Sequence, residues 1–222
     1  MSSESSVNSY AHHYLAPQPE VDEETWLWKV AAPQSDDLAL IVSGPMLAIS
    51  WWAHPDDYAL SAAADRLPFA AQTFDQVVIK HPLFTQSADD PFPIVQSAAR
   101  VLKSGGVLIV QAINLPDDDR AAHYINAFYR LRDATHTRGY PPYLWQGMLL
   151  DAGLELDRIE TLRQPRRLLD WAQDCSPVVV ERLQVMLKQA PPPVADHLRP
   201  FAIGTADAMF THSLLAIIGR KP

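Results

Sequence analysis

Hydrophobic positions along this chain fall into two kinds of run. Leu38–Ser43 (LALIVS) and Phe74–Ile79 (FDQVVI) are nearly continuous apolar stretches stopped by turn-forming residues, as expected of strands buried on both faces. Val107–Ile113 (VLIVQAI) and Ala208–Ile218 read the same way, and Leu154–Leu162 alternates through Leu154, Leu156 and Ile159. Between these runs the period becomes helical. Residues 21–32 carry acids in a first turn and place Trp26 and Val30 four apart on one face. Pro91–Leu102 puts Ile94, Val95, Ala98, Val101 and Leu102 on one stripe, with Gly105 as the expected cap. Asp117–Asp119 caps a helix running to Arg132 that buries Ile125, Phe128 and Leu131. Pro141 or Pro142 opens another, with Leu144, Met148 and Ala152 on one face and Gly153 ending it.

Further short helices are expected over Leu168–Asp174 and Val178–Gln189, with Pro191–Pro193 as a hinge. Met46–Ala53 fits strand or short helix, and Tyr58–Ala63 reads as extended. The alternation predicts an α/β fold with a mostly parallel sheet, and the order of the final elements permits an antiparallel last strand. Residues 1–20 read as a flexible polar tail whose His12 and His13 are solvated. Residues 21–222 read as one domain, with 164–207 a helical insertion before the last strand.

The net charge of −8 argues against a nucleic-acid partner, which needs a basic face. The single cysteine, Cys175, excludes an internal disulfide framework and a cysteine-rich zinc site, so a cytoplasmic location is expected. The N-terminus lacks a basic start followed by an apolar run. The longest apolar stretch, Leu38–Ala53, is broken by Ser-Gly-Pro and falls short of the ~20 residues that span a bilayer, so no membrane association is expected. The glycines carry more information. There are 8, against 19 prolines, and only Gly44 lies in the first hundred residues. Loops that cradle phosphates or nucleotides ordinarily draw on two or three.

Residues 67–110 (LPFAAQTFDQVVIKHPLFTQSADDPFPIVQSAARVLKSGGVLIV) resemble the second half of a class I S-adenosylmethionine-dependent methyltransferase of the ubiquinone/menaquinone-biosynthesis type. The resemblance rests on Leu67-Pro68-Phe69, Phe74-Asp75, Arg100-Val101-Leu102-Lys103 and Gly105-Gly106. It continues through Leu131–Tyr140 (LRDATHTRGY), Asp151-Ala152-Gly153-Leu154 and the terminal Gly219-Arg220-Lys221-Pro222. It implies a methyltransferase-like Rossmann sheet and, as cofactor, S-adenosylmethionine.

It also implies three cofactor-binding parts: a glycine-rich loop after strand 1, an acid ending strand 2 and an Asp shortly before Leu-Pro-Phe. Here the loop is Ser43-Gly44-Pro45-Met46, whose proline removes a donor. The Asp position falls on Ala63, with Asp65 two residues later. Only 23 residues separate Ser43 from Leu67, too few for two crossovers, so the fold is expected to be shortened by about one βα unit. Ser43, Gly44, Asp65 and Lys80 are the cofactor-binding candidates that remain.

Ligands of such folds sit at the carboxyl ends of the strands. Lys80, His81 and Thr85 follow strand 4, Asn114 follows strand 5, and the Asp133–Tyr140 loop belongs on the same rim. His136 and His81 are therefore candidate general bases. Arg138 is a candidate holder of an anionic small-molecule substrate, with Tyr140 and Asn114 beside it. In the structural alternative, Asp133 pairs with Arg138 to hold the loop and His136 caps the following helix.

Ala53-His54-Pro55-Asp56-Asp57 also resembles the signature of zinc-dependent N-acetylglucosaminyl deacetylases. That would make His54 and Asp57 ligands and Asp56 the base, with His197 a candidate third ligand. The alternative is a turn with Asp capping a helix. Trp26, Trp28, Trp51 and Trp52 crowd the divergent first third, where a homodimer or a heteromeric partner is expected to cover a trimmed sheet. Three functions are thus in view: a methyltransferase with an atypical pocket, a non-catalytic binding or regulatory subunit, and a zinc hydrolase.

Overall fold

In the computed structural model, the described residues are 22–34, 36–43, 46–51, 54–61, 63–80, 90–136 and 138–222, with backbone alone for 46–51 and 54–61. Helix α1 (Glu23–Ala31) leads into β1 (Leu38–Ser43), β2 (Met46–Trp51), β3 (His54–Ser61), a 3₁₀ turn (Ala64–Arg66) and β4 (Phe74–Lys80). Then follow α2 (Phe92–Val101), β5 (Leu102–Ile113), α3 (Asp119–Arg132), α4 (Pro142–Asp151) and β6 (Glu155–Arg167). Helices α5 (Leu168–Trp171), α6 (Pro177–Lys188) and α7 (Pro192–Leu198) precede β7 (Met209–Arg220). The strands form one sheet of order β3-β2-β1-β4-β5-β7-β6. β1, β4 and β5 are mutually parallel, and β7 runs antiparallel between β5 and β6, as expected.

The shortening falls on the crossover helices. β1 and β2 pair antiparallel from Ser43↔Met46 outward, and β2 and β3 pair antiparallel from Trp51↔His54. Two residues make each connection, which leaves no room for a helix. Both strand positions survive, but as a meander. The His-Pro-Asp-Asp segment starts β3 and caps no helix.

Each sheet face is covered by what its pattern called for. On one face α1 buries Leu27, Val30 and Ala31 against Val78, Ile109, Ala216 and Ile218. Its N-cap Asp22 accepts from Thr25 N at 3.2 Å, and Glu23 and Glu24 occupy its first turn. On the other face α2 and α4 pack Val95, Ala98, Trp145 and Leu149 over Leu40, Val77, Leu108 and Leu215. Beyond the carboxyl ends of β5 and β6, helices α3, α5, α6 and α7 enclose a second core around Phe128, Leu183 and Phe210.

Two expected boundaries differ. Helix α2 ends at Val101 and the chain enters β5 at once, so Gly105, at φ +79, turns the chain within the strand instead of capping the helix. Pro191–Pro193 start a helix and make no hinge: Pro191 is the N-cap of α7 and Pro192 its first residue, where a missing N–H costs nothing.

Candidate functional site

Because β1, β4 and β5 are parallel, their carboxyl ends share one rim, where Ser43, Lys80 and Gln111 stand side by side in register. Ser43 is exposed. Lys80 Nζ lies 3.7 Å from the Glu24 carboxylate, so the acidic first turn of α1 leans onto this rim. Gln111 is 1% exposed, and its Oε1 has no hydrogen-bond partner among the described residues. Gly44 and His81 lie outside the described residues.

At the start of α1, Glu23 Oε1 is 3.2 Å from Arg166 Nη2 and 3.6 Å from His212 Nε2. Tyr129 Oη meets His212 Nδ1 at 2.8 Å. Burial raises the Tyr129 hydroxyl well above its ordinary range, which keeps it protonated. These polar groups, Tyr129 and His212 buried and Glu23 and Arg166 half-buried, sit on four different elements, and no local motif announced them.

The Asp133–Tyr140 loop is built on one buried side chain. Asn126 Oδ1 accepts from Gly139 N at 2.6 Å and lies 3.0 Å from His136 Nε2, while its Nδ2 donates to Gly139 O at 3.1 Å. With both ends of the amide fixed by Gly139, the His136 contact requires the Nε2–H tautomer. Burial first, and then the Arg130 charge, lower the His136 pKa below its ordinary value; Asp133 opposes them. Asp133 Oδ1 accepts from Thr135 N and Oγ1 at 2.9 and 2.7 Å, which holds its own pKa low. It therefore turns its carboxylate into the loop.

Arg138 lies outside that arrangement. It is exposed, its Cζ sits 5.2 Å from the centroid of the Tyr140 ring, and among the described residues it has no carboxylate partner. Tyr140 is buried at 7% exposure and meets Trp145 edge-on at 5.8 Å. It supports Arg138 from beneath.

A cleft of about 740 Å³ opens between α3 and the start of α4. Arg138 and Gly139 line it from the loop, and Asp119, His123, Asn126 and Arg130 line it from α3. Of the candidates named from sequence, only Arg138 is among its described lining residues; His136 stands behind Asn126. His123, Asn126 and Arg130 were not singled out from sequence. Their spacing of three, four and seven along one helix was the available signal.

Asn114 is committed to the frame: its Nδ2 donates to Ser213 Oγ at 3.1 Å, and its carbonyl lies 2.8 Å from His197 Nε2. His197 thereby ties α7 to the end of β5. The zinc reading offered His197 as a candidate third ligand beside His54 and Asp57. The topology sets them at opposite ends of the strands, with β2, β1 and β4 between their strands, so they do not converge. Among the described residues, no group of three His, Cys, Asp or Glu is placed to hold a metal, and no helix is long and apolar enough to cross a membrane.

A family profile described as a methyltransferase domain matches residues 38–110. A solved structure of a putative methyltransferase from Bacillus halodurans superposes with a TM-score of 0.76 over 90% of this chain and 99% of that one, at 20% identity. The YcgJ protein of Bacillus subtilis superposes at 0.66, over 73% and 70%, at 22% identity. The fold is methyltransferase-like, of Rossmann type. By sequence, the domain is 26% identical to the uncharacterized protein YafE of Escherichia coli over 160 residues, 71% of this chain and 74% of that one. It is 29% identical to YcgJ, an uncharacterized methyltransferase, over 108 residues, 49% of this chain and 42% of YcgJ.

Of the parts that the sequence resemblance implies for S-adenosylmethionine, the described residues supply few. The cradle after strand 1 depends on backbone N–H groups at a helix N-terminus. Here β1 turns through two residues into antiparallel β2, and no helix begins there. The acid for the ribose belongs at the carboxyl end of strand 2. Reversal of β2 puts that end, Trp51, beside the start of β1, at the opposite end of the strands from Lys80. Among the described residues, Asp65 stands half-buried in the 3₁₀ turn that follows the rim end of β3.

Proposed function

We propose that this chain is a methyltransferase-like protein that binds a small molecule at its rim and transfers no methyl group, serving as a binding or regulatory subunit. One observation carries the reading: the two-residue turn from β1 into antiparallel β2, in place of a loop and helix N-terminus. Methyl transfer from a sulfonium relies chiefly on positioning donor and acceptor in line. A donor site that has lost its backbone cradle and its ribose carboxylate lacks the means to do that.

What remains of the rim suits binding. It has a preorganised loop, a cleft of ligand size, and a framework tied down by Asn114, His197 and Asn126. The competing reading is an S-adenosylmethionine-dependent small-molecule methyltransferase with an atypical pocket. It draws on Asp65 for the adenine and on Lys80 beside Glu24 for the methionine end. A partner contact through the tryptophan-bearing first third belongs to the regulatory reading and is tested by sedimentation at high concentration, where a strict monomer counts against self-association.

The two readings separate in one experiment. The purified chain is incubated with methyl-labelled S-adenosylmethionine and a pooled small-molecule extract. The proposal expects all label to stay on the donor; label in any acceptor, above a no-protein control, contradicts it.

A further inference from the structure

The cleft between α3 and α4 has a charge character opposite to that of the chain. The protein carries a net charge of −8, yet the cleft's described lining holds Arg130 and Arg138 against one carboxylate, Asp119. The two guanidiniums differ in how they are held. Arg130 Nε reaches the His136 carbonyl at 3.3 Å, which anchors one edge of its fork. Arg138 rides on Tyr140, and Tyr140 is locked by Trp145, which is itself 1% exposed. The position of the Arg138 guanidinium is thus set by buried rings, while its N–H edge has no carboxylate among the described residues. Such a pre-positioned fork loses little entropy on pairing with a planar anion.

Beside His123, Asn126 and Gly139, the rest of the described lining is apolar: Ala122, Ala127, Leu131, Pro141 and Leu144. Within the described lining, two guanidiniums face one carboxylate, a balance that suits a monoanion better than a dianionic phosphate ester. The volume of about 740 Å³ lies within the ordinary range of small-molecule sites.

We infer that this cleft binds a small organic carboxylate with an apolar tail, the carboxylate paired with Arg138 and the tail along Leu131, Pro141 and Leu144. The inference rests on the non-catalytic reading only in treating the anion as a ligand and not a methyl acceptor.

The test is calorimetric titration of octanoate and benzoate, each beside its neutral amide, into the full chain and into Arg138→Gln and Arg138→Lys. Arg138 is exposed, and circular dichroism checks that each variant keeps its fold. At least one carboxylate binds, its amide binds about tenfold more weakly or worse, and Arg138→Gln loses about as much, as removal of a charge-assisted bidentate pair entails. Arg138→Lys recovers part of the loss. Absence of binding by both acids, equal affinity for acid and amide, or an unchanged Arg138→Gln each overturns the inference. Methyl transfer from S-adenosylmethionine to the bound acid would instead overturn the non-catalytic reading and leave the cleft assignment standing.

Discussion

Asn126 and Gly139 exchange a pair of hydrogen bonds, 2.6 and 3.1 Å long, that clamp the Asp133–Tyr140 loop to the buried side of α3. The same Asn126 oxygen also takes His136 Nε2. The amide's acceptor and donor meet the backbone N–H and C=O of one residue together. Asn126→Ala leaves both Gly139 groups unpaired in a buried site, at a cost of about 1–3 kcal/mol each before relaxation. Urea denaturation is expected to show a loss of about 3 kcal/mol with an unchanged m-value. A loss below about 1 kcal/mol would mean the loop is held by something else.

Acid should weaken the fold before the carboxylates titrate. Burial lowers the pKa of both His136 and His197, the nearby Arg130 and Arg163 charges add to it, and Asp133 and the Asn114 carbonyl oppose it. A histidine whose folded pKa lies below its unfolded value binds fewer protons folded than unfolded. Its contribution is complete above the ordinary value of 6.5 and fades as pH falls through the window beneath it. Unfolding free energy should therefore drop between about pH 7.5 and about pH 5.5. The drop should be smaller in the His136→Gln/His197→Gln double variant. An equal drop in both proteins contradicts the assignment.

The neighbouring glycines 105 and 106 are needed for different reasons. A Cβ on Gly106 would stand 2.9 Å from the backbone oxygens of Asp75 and Lys103, which cannot move without breaking the β4–β5 ladder. Gly105 has open space around it but sits at φ +79. Gly106→Ala should cost about 2 kcal/mol and lower the melting temperature by about 4–8 °C. Gly105→Ala should cost about 1 kcal/mol, the ordinary penalty for a side chain in the left-handed region. The reverse ranking would show that the crowding at Gly106 relaxes freely.

Most of the sheet was legible because strands buried on both faces leave continuous apolar runs, and LALIVS and FDQVVI could hardly be anything else. The meander was not. Met46–Trp51 is a short apolar run whose period distinguishes strand from helix poorly, and its direction depends on pairing across two residues. The length deficit before Leu67 was visible, but not that it would remove helices and keep strands. Pro191–Pro193 misled because a proline cluster suits a hinge and a first helical turn equally well.

At the site, Arg138 stood out by its residue type. The burial of Tyr140 and the role of Asn126 did not, since each depends on partners brought together only by the fold. His136 and Arg138, two residues apart, end up with different surroundings: one behind Asn126, the other in the cleft.

Hairpins in place of the first two crossovers should leave S-adenosylmethionine without its backbone cradle. Titration calorimetry of S-adenosylmethionine into the purified full chain is the decisive measurement. No saturable heat is expected up to about 1 mM cofactor, where binding would be weaker than about −4 kcal/mol. A saturable one-site isotherm with a dissociation constant in the micromolar range would contradict it.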